Sequence, residues 1–376
     1  MNFSSFDFFY VAALGAFLPV WPVDLNYKSF TPYEIGVITG TMIGNKIIAP
    51  NVWGWIADKT GLRHRVIQLG ALSCFIIFTF ASSMESFSGM FALIFLFSFF
   101  WNASLPQFEA VTMTSLGSSY NNYSQIRLWG SLGFILSVFS LSFLTQNYGI
   151  EVVPTCILSF LFLTFITTLF VKNTNANQKK HNNSLLSIAL KPAVIGILLS
   201  CFLMQVSHGP FYAFFAIYLT ENSYSTNSIG FIWSLGVIAE ILIFIKISSW
   251  IPKYGLQNLF IVSFLFASSR WLLISFFPES VIIVTLATLF HAITYGMYHA
   301  VSISLIHEYF TEELQGRGQA LYSSISFGLG GSIGSIYSGY FWESLGGSTV
   351  YLYASLFAFL GLIVSLILVK SKYRNI

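Results

Sequence analysis

The chain has 376 residues, of which 55% are hydrophobic and only 8% charged. A soluble domain carries about a quarter charged residues, so this composition excludes a water-soluble globular protein and implies an integral membrane protein. The formal net charge of +3 is spread over membrane-edge loops without a dense basic patch, which argues against nucleic acid as a partner.

A membrane-spanning helix needs about 20 mostly apolar residues. Twelve stretches meet this, in the first half at roughly 5–25, 33–56, 66–84, 88–110, 126–145 and 152–171. The second half holds roughly 192–219, 228–248, 257–277, 281–306, 319–341 and 350–370. The first stretch lacks a basic start and a small-residue cleavage site, so it reads as a transmembrane helix and not as a signal peptide. Thr31-Pro32-Tyr33-Glu34 predicts a capped helix start, with proline at the first helical position and an acid in the first turn. Pro278-Glu279-Ser280 predicts a short turn. The longest polar stretch, 172–191, reads as a flexible cytoplasmic linker. The expected organisation is therefore a six-helix bundle at 1–171, the linker, and a second six-helix bundle with a short cytoplasmic tail at 192–376.

Orientation follows from the cations. Of the 17 Lys and Arg, Lys46, Arg127 and Arg270 fall within spans and Lys28 in an outer loop. The remaining 13 share one side when both termini are placed in the cytoplasm. An internal repeat supports the division into halves. Ile35-Gly36 and Gly61-Leu62 recur as Ile229-Gly230 and Gly255-Leu256, both offset by 194 residues. Repeated six-helix halves are an architecture of secondary transporters, with substrate bound near the midplane. The same offset relates Lys46 to Glu240.

Five charged side chains lie in or at the edge of apolar stretches: Lys46, Glu109, Arg127, Glu240 and Arg270. A charge inside the bilayer costs at least a few kcal/mol and normally faces a water-filled cavity or an opposite charge. Glu109 and Arg127 are candidates for a cavity pair or for a structural pair joining two helices. A carboxyl in an apolar cavity loads and unloads protons near neutral pH, which makes Glu240 the candidate proton carrier. Arg270 suits bidentate capture of a carboxylate, and Lys46 a less directional contact with the same charge. Cys74, Cys156 and Cys201 show neither disulfide nor zinc-ligand spacing and read as packing residues. His291, His299 and His307 recur at eight-residue steps but are not read as a metal site. No nucleophile–base set or cofactor motif appears in the spans. The chain is therefore read as a carrier and not an enzyme, with no cofactor and no metal.

Gly54-Trp55-Ile56-Ala57-Asp58-Lys59-Thr60-Gly61-Leu62-Arg63-His64-Arg65 resembles the signature loop of the major facilitator superfamily. The resemblance implies a conformational gating role for Gly54, Asp58, Gly61, Arg63 and Arg65, with Gly54 allowing close helix approach and the two arginines anchoring at headgroups. The run from Asn102 to Ala110, followed 18 residues after Glu109 by Arg127-Leu128-Trp129-Gly130-Ser131, resembles the lactose permease. So do the contexts of Glu240, Arg270 and His291. The phenylpropionic acid transporter branch is more similar still, through Trp233-Ser234-Leu235-Gly236-Val237-Ile238-Ala239-Glu240, Arg270-Trp271, Gln319-Ala320-Leu321-Tyr322-Ser323 and His208 with Tyr212. Two departures stand out: Phe134 replaces the sugar-stacking Trp of the lactose permease, and Thr294 replaces the Glu that follows its helix-ten His. They argue against lactose and for a different proton relay.

The resemblance implies the all-α major facilitator fold, twelve transmembrane helices in two pseudo-symmetric six-helix bundles. It implies a multi-pass, monomeric carrier of the bacterial inner membrane, working as a proton-coupled symporter of a small organic substrate. An aromatic monocarboxylate such as 3-phenylpropionate fits the branch. Sugar or nucleoside symport and efflux of amphipathic compounds by antiport are the alternatives. Implied substrate contacts are Glu109, Arg127, Phe134, Lys46, Arg270, His208 and Trp233, with Trp129 and Tyr212 as further aromatic lining; Glu240 and His291 serve proton coupling.

Overall fold

A computed structural model describes residues 2–116, 122–171, 185–310 and 314–371. Most of the expected linker, with Lys172, Lys179 and Lys180, and the tail cations Lys372 and Arg374 lie outside the described residues. Among the described residues the secondary structure is helical, without a strand, and nine helical runs are long and apolar enough to cross a membrane. The chain divides into two compact units. One comprises Met1–Lys179 with Tyr224–Ser234, and the other Lys180–Ser223 with Leu235–Ile376.

The first unit begins with α1 (Asn2–Phe17) and the short α2 (Trp21–Tyr27). Next come α3 (Pro32–Gly44), α4 (Ala49–Thr60) and α5 (Arg63–Phe78). It continues through α6 (Phe87–Leu116), α7 (Asn122–Tyr148) and α8 (Val152–Thr168). The Thr31 side chain accepts from the Glu34 amide while the Glu34 carboxylate accepts from the Thr31 amide, the reciprocal cap expected there. The single span expected at 33–56 is instead two helices joined by a tight turn. Pro50 has no N–H to offer the carbonyl of Lys46. Residues 46–48 close three-residue bonds, Lys46 N to Ile43 O at 3.1 Å and Ile47 N to Gly44 O at 2.9 Å. Lys46 thus sits half-buried in a break, whereas its repeat partner Glu240 lies inside a continuous helix. The aromatic rings of α1 stack on α6, Tyr10 on Trp101 and Phe6 on Phe108, each pair at 3.9 Å between centroids. These contacts fix the height of α1 against the part of α6 that carries Glu109.

The second unit contains α9 (Leu185–Ala189), α10 (Pro192–Glu221), most of α11 (Thr226–Tyr254) and α12 (Leu256–Phe276). The span expected at 281–306 consists of α13 (Val281–Leu289), a π-helical segment Ala292–Met297 and α14 (Tyr298–Tyr309). Ser280 caps α13, as the short turn before it requires. A second π-helical segment, Ser324–Gly330, separates α15 (Gln315–Ser323) from α16 (Gly331–Leu368). Gly346 breaks α16 with a positive φ of 78°, a conformation open to glycine. The two arms fold back on each other there. Tyr337 meets Phe357 at 5.2 Å and Phe341 meets Tyr353 at 5.9 Å, pairs that straddle the break. This hairpin accounts for the two apolar stretches at 319–341 and 350–370. Its first arm packs on α10 through Gly209 and Gly334, where the two backbones touch without intervening side chains. The repeated glycines Gly61 and Gly255 both have positive φ, 68° and 76°; Gly61 ends α4 two residues before α5 begins, and Gly255 lies immediately before α12.

Candidate functional site

Each unit carries its own charged cluster. In the first, Arg127 of α7 lies between two carboxylates. Its Nη1 is 3.2 Å from Asp7 Oδ1 and 3.6 Å from Glu109 Oε1. The expected Glu109–Arg127 pair is therefore present, with Asp7 of α1 as a third member that sequence reasoning missed. Asp7 is only 2% exposed, against 44% for Arg127 and 40% for Glu109. Its Oδ2 is buried without a hydrogen-bond partner. Asp24 is a second overlooked in-span acid, paired with Lys28 at 3.4 Å. Neither Asp7 nor Asp24 is among the five charges that the sequence singled out within apolar stretches. Both acids lie near the ends of the first apolar stretch, where they read as edge residues, but the same criterion that selected Glu109 would have selected them.

Phe134, two turns along α7 from Arg127, is buried against Gly15 of α1, and its ring is 6.3 Å from that of buried Trp233. Trp129 is 49% exposed and does not share this packing.

The signature loop is more ordered than its sequence alone requires. Gly61 ends α4 in the left-handed conformation. Asp58 pairs with Arg63 Nη2, and Arg63 Nη1 donates to Gln107 Oε1 of α6 at 2.5 Å. Arg63 is buried, which corrects the expectation that it anchors at lipid headgroups; Arg65 is exposed. A side chain at Gly54 would meet Gln107 at an ordinary 3.7 Å, so Gly54 does not mark a close helix approach.

In the second unit, Arg270 of α12 is fully buried. Its Nη1 donates to His291 Nδ1 and to Thr294 Oγ1, both at 3.1 Å. The faces of Phe211 and Trp271 lie 4.3 Å from its Cζ, a cation–π arrangement on both rings. Nε and Nη2 have no hydrogen-bond partner. To accept from Arg270, His291 Nδ1 must carry a lone pair, which leaves the ring proton on Nε2. That atom faces Glu240 Oε2 at 3.6 Å. The guanidinium thus sets the tautomer that points an N–H toward the carboxylate. The π-helical turn that begins after His291 contributes Thr294 to the same guanidinium, and π turns of this kind recur at functional sites.

His208 of α10 binds the Met204 carbonyl through Nδ1 at 2.8 Å, leaving buried Nε2 as an unpartnered acceptor. Its ring is 5.0 Å from Trp271 and 6.3 Å from His291. Glu240, Arg270, His291 and His208 are therefore brought together. Thr294 and Phe211 join them; the sequence pointed to Thr294 only as the replacement of a permease Glu, and to Phe211 not at all. No cluster of three metal-ligating side chains occurs among the described residues.

Residues 1–353 match the family model MFS_1 like family. The chain belongs to the MFS_1-like family. It is similar to the probable 3-phenylpropionic acid transporter of Escherichia coli (strain K12), with 24% identity over 348 residues covering 90% of each chain. It is also similar to the maltose permease of Geobacillus stearothermophilus, 25% identical over 383 residues covering 98% of this chain and 94% of that one. Among solved structures, the nucleoside transporter NupG superimposes with a TM-score of 0.84 over 99% of both chains at 16% identity, a likeness of fold. This member of the major facilitator group is a multi-pass membrane transporter of small molecules and not an enzyme.

Proposed function

We propose that the protein is a proton-coupled symporter of a small aromatic monocarboxylate, with 3-phenylpropionate as reference substrate. The observation that supports this reading is the open Nε–Nη2 edge of fully buried Arg270. A guanidinium edge of this kind offers two parallel donors that match the two oxygens of a carboxylate. Removed from water and in contact with the rings of both Phe211 and Trp271, it favours an anion with an aromatic body. The E. coli relative's name, which specifies 3-phenylpropionic acid, points to the same chemistry.

In this reading Glu240 carries the coupling proton and His291 relays it. Arg270 and His208 are the substrate contacts of the second unit, and Lys46 is one of those of the first. Glu109 and Arg127 form a polar wall lined by Phe134 and Trp233. The loop of Gly54, Asp58, Gly61, Arg63 and Arg65 gates the conformational change. The fold is completed by twelve spans in halves at 1–171 and 192–376, joined by the 172–191 linker. The protein works as a monomer in the bacterial inner membrane with both termini cytoplasmic.

Counterflow in proteoliposomes tests the substrate class. Labelled 3-phenylpropionate should exchange against an internal pool of the same acid and not against maltose or uridine. Exchange of maltose or uridine without exchange of the acid would overturn the assignment in favour of sugar or nucleoside symport.

A further inference from the structure

Gln205 and His208 lie one turn apart on α10, and both are fully buried. Gln205 Oε1 accepts from the Tyr212 hydroxyl at 3.2 Å, so the remaining polar atom of the amide is the donor Nε2. His208 Nδ1 lies 2.8 Å from the Met204 carbonyl. A carbonyl can only accept, so Nδ1 carries the proton and Nε2 of the neutral ring is an acceptor. Among the described residues, neither Gln205 Nε2 nor His208 Nε2 has a hydrogen-bond partner. Leaving such atoms buried and unpaired is unfavourable. The two are complementary in kind: one only donates and the other only accepts.

Residues three and four apart are neighbours on a helix surface, so Gln205, His208 and Tyr212 share one face of α10. A hydroxyl is the group that answers both open atoms, because its single oxygen donates and accepts. The surroundings are aromatic: the His208 ring is 5.9 Å from that of Tyr212 and 5.0 Å from that of Trp271. The distance to the anion edge also fits. Phe211 of the same helix carries the Arg270 guanidinium at 4.3 Å. The midpoint of Gln205 and His208 lies about 7 Å before Phe211 along the helix axis, at about 1.5 Å per residue. An arylpropanoate spans a comparable length from its carboxylate to the far edge of its ring.

We propose that Gln205 and His208 form a hydroxyl-reading subsite, and that the transported acid is a ring-hydroxylated arylpropanoate. Gln205 Nε2 donates to the phenolic oxygen, and the phenolic O–H donates to His208 Nε2. The carboxylate occupies the Nε–Nη2 edge of Arg270. Tyr212 is a positioning residue, since its hydroxyl fixes which end of the Gln205 amide is left to meet the substrate. The inference rests on the aromatic-acid reading of Arg270 and narrows it.

Isothermal titration of the full chain in detergent tests it, with 3-phenylpropionate, its 3-hydroxyphenyl and 4-hydroxyphenyl counterparts, and their methyl ethers. At least one hydroxy acid should bind the wild type about tenfold or more tighter than 3-phenylpropionate, the worth of the two added hydrogen bonds. Its methyl ether accepts but cannot donate, and should lose that gain. Gln205→Met should bring the affinity ratio of hydroxy acid to parent acid close to one. No gain from either hydroxyl overturns the proposal, as does a gain kept on methylation or a ratio unchanged in Gln205→Met. If Gln205→Met does not fold, the ether comparison on the wild type decides alone. Binding of 3-phenylpropionate without a hydroxyl gain refutes this inference only, whereas failure of every acid to bind refutes the Arg270 reading and this one with it.

Discussion

Replacing Arg270 by Lys separates charge from geometry at the proposed substrate contact. In the structure Nη1 is already committed to His291 and Thr294, so only the Nε–Nη2 edge is available to an anion. A carboxylate on that edge accepts two charge-assisted hydrogen bonds, each worth about 1.5–3 kcal/mol. Lysine keeps the positive charge but is a point donor without the planar fork. It retains about one of the two bonds and loses the guanidinium's stacking on Phe211 and Trp271. The loss of one bond weakens binding by about 10- to 150-fold, at 1.4 kcal/mol per decade. Binding of 3-phenylpropionate and its neutral amide, 3-phenylpropanamide, by isothermal titration to wild type and Arg270→Lys measures this. The amide should bind the wild type weakly and respond little to the substitution, because it cannot accept at both positions. Equal affinity of Arg270→Lys and wild type for the acid, or an equal loss for acid and amide, would refute the reasoning.

Two further predictions concern stability. Gly209→Ala would drive a methyl group into the Gly334 backbone, and Gly334→Ala one to within 2.6 Å of the Val206 carbonyl oxygen. Overpacking costs about 1–3 kcal/mol and more where the obstacle is backbone, so both should lower the thermal midpoint in detergent, while Gly316→Ala, with open space around it, should not. At the turn between α7 and α8, the Tyr27 hydroxyl donates to Glu151 at 2.6 Å and holds its carboxyl below the usual range. A depressed carboxyl contributes stability above its unfolded pKa that is lost as pH falls through its folded pKa. The midpoint difference between wild type and Tyr27→Phe should therefore shrink on acidification; a difference that grows would reverse the sign of this argument.

The residues of the second cluster were legible because each interrupts an apolar run. A charge in such a run is costly enough to stand out in one dimension. Asp7 escaped because it sits three residues inside the first stretch, where an edge charge and a buried charge look alike. Phe211, and the contact of Thr294 with Arg270, escaped for a different reason. An aromatic or a hydroxyl residue is unremarkable in a membrane helix until a neighbouring helix places a guanidinium against it.

The sequence by itself determined the membrane class, the positions of most helices and the residues that must find partners, because hydropathy, capping and the cost of buried charge are local properties. Tertiary structure decided who those partners are. It turned the Glu109–Arg127 pair into a triad with Asp7, and it drew Arg63 inward to Asp58 and Gln107 instead of outward to lipid. It also split the second span at Pro50 and placed Thr294 beside Arg270. Each of these depends on the rotation and height of one helix against another. Those are set by stacked rings such as Tyr10 on Trp101, by bare glycine contacts such as Gly209 on Gly334, and by π-helical turns that alter the helical phase. A linear pattern specifies which face of a helix is apolar, but not the register at which two such faces meet.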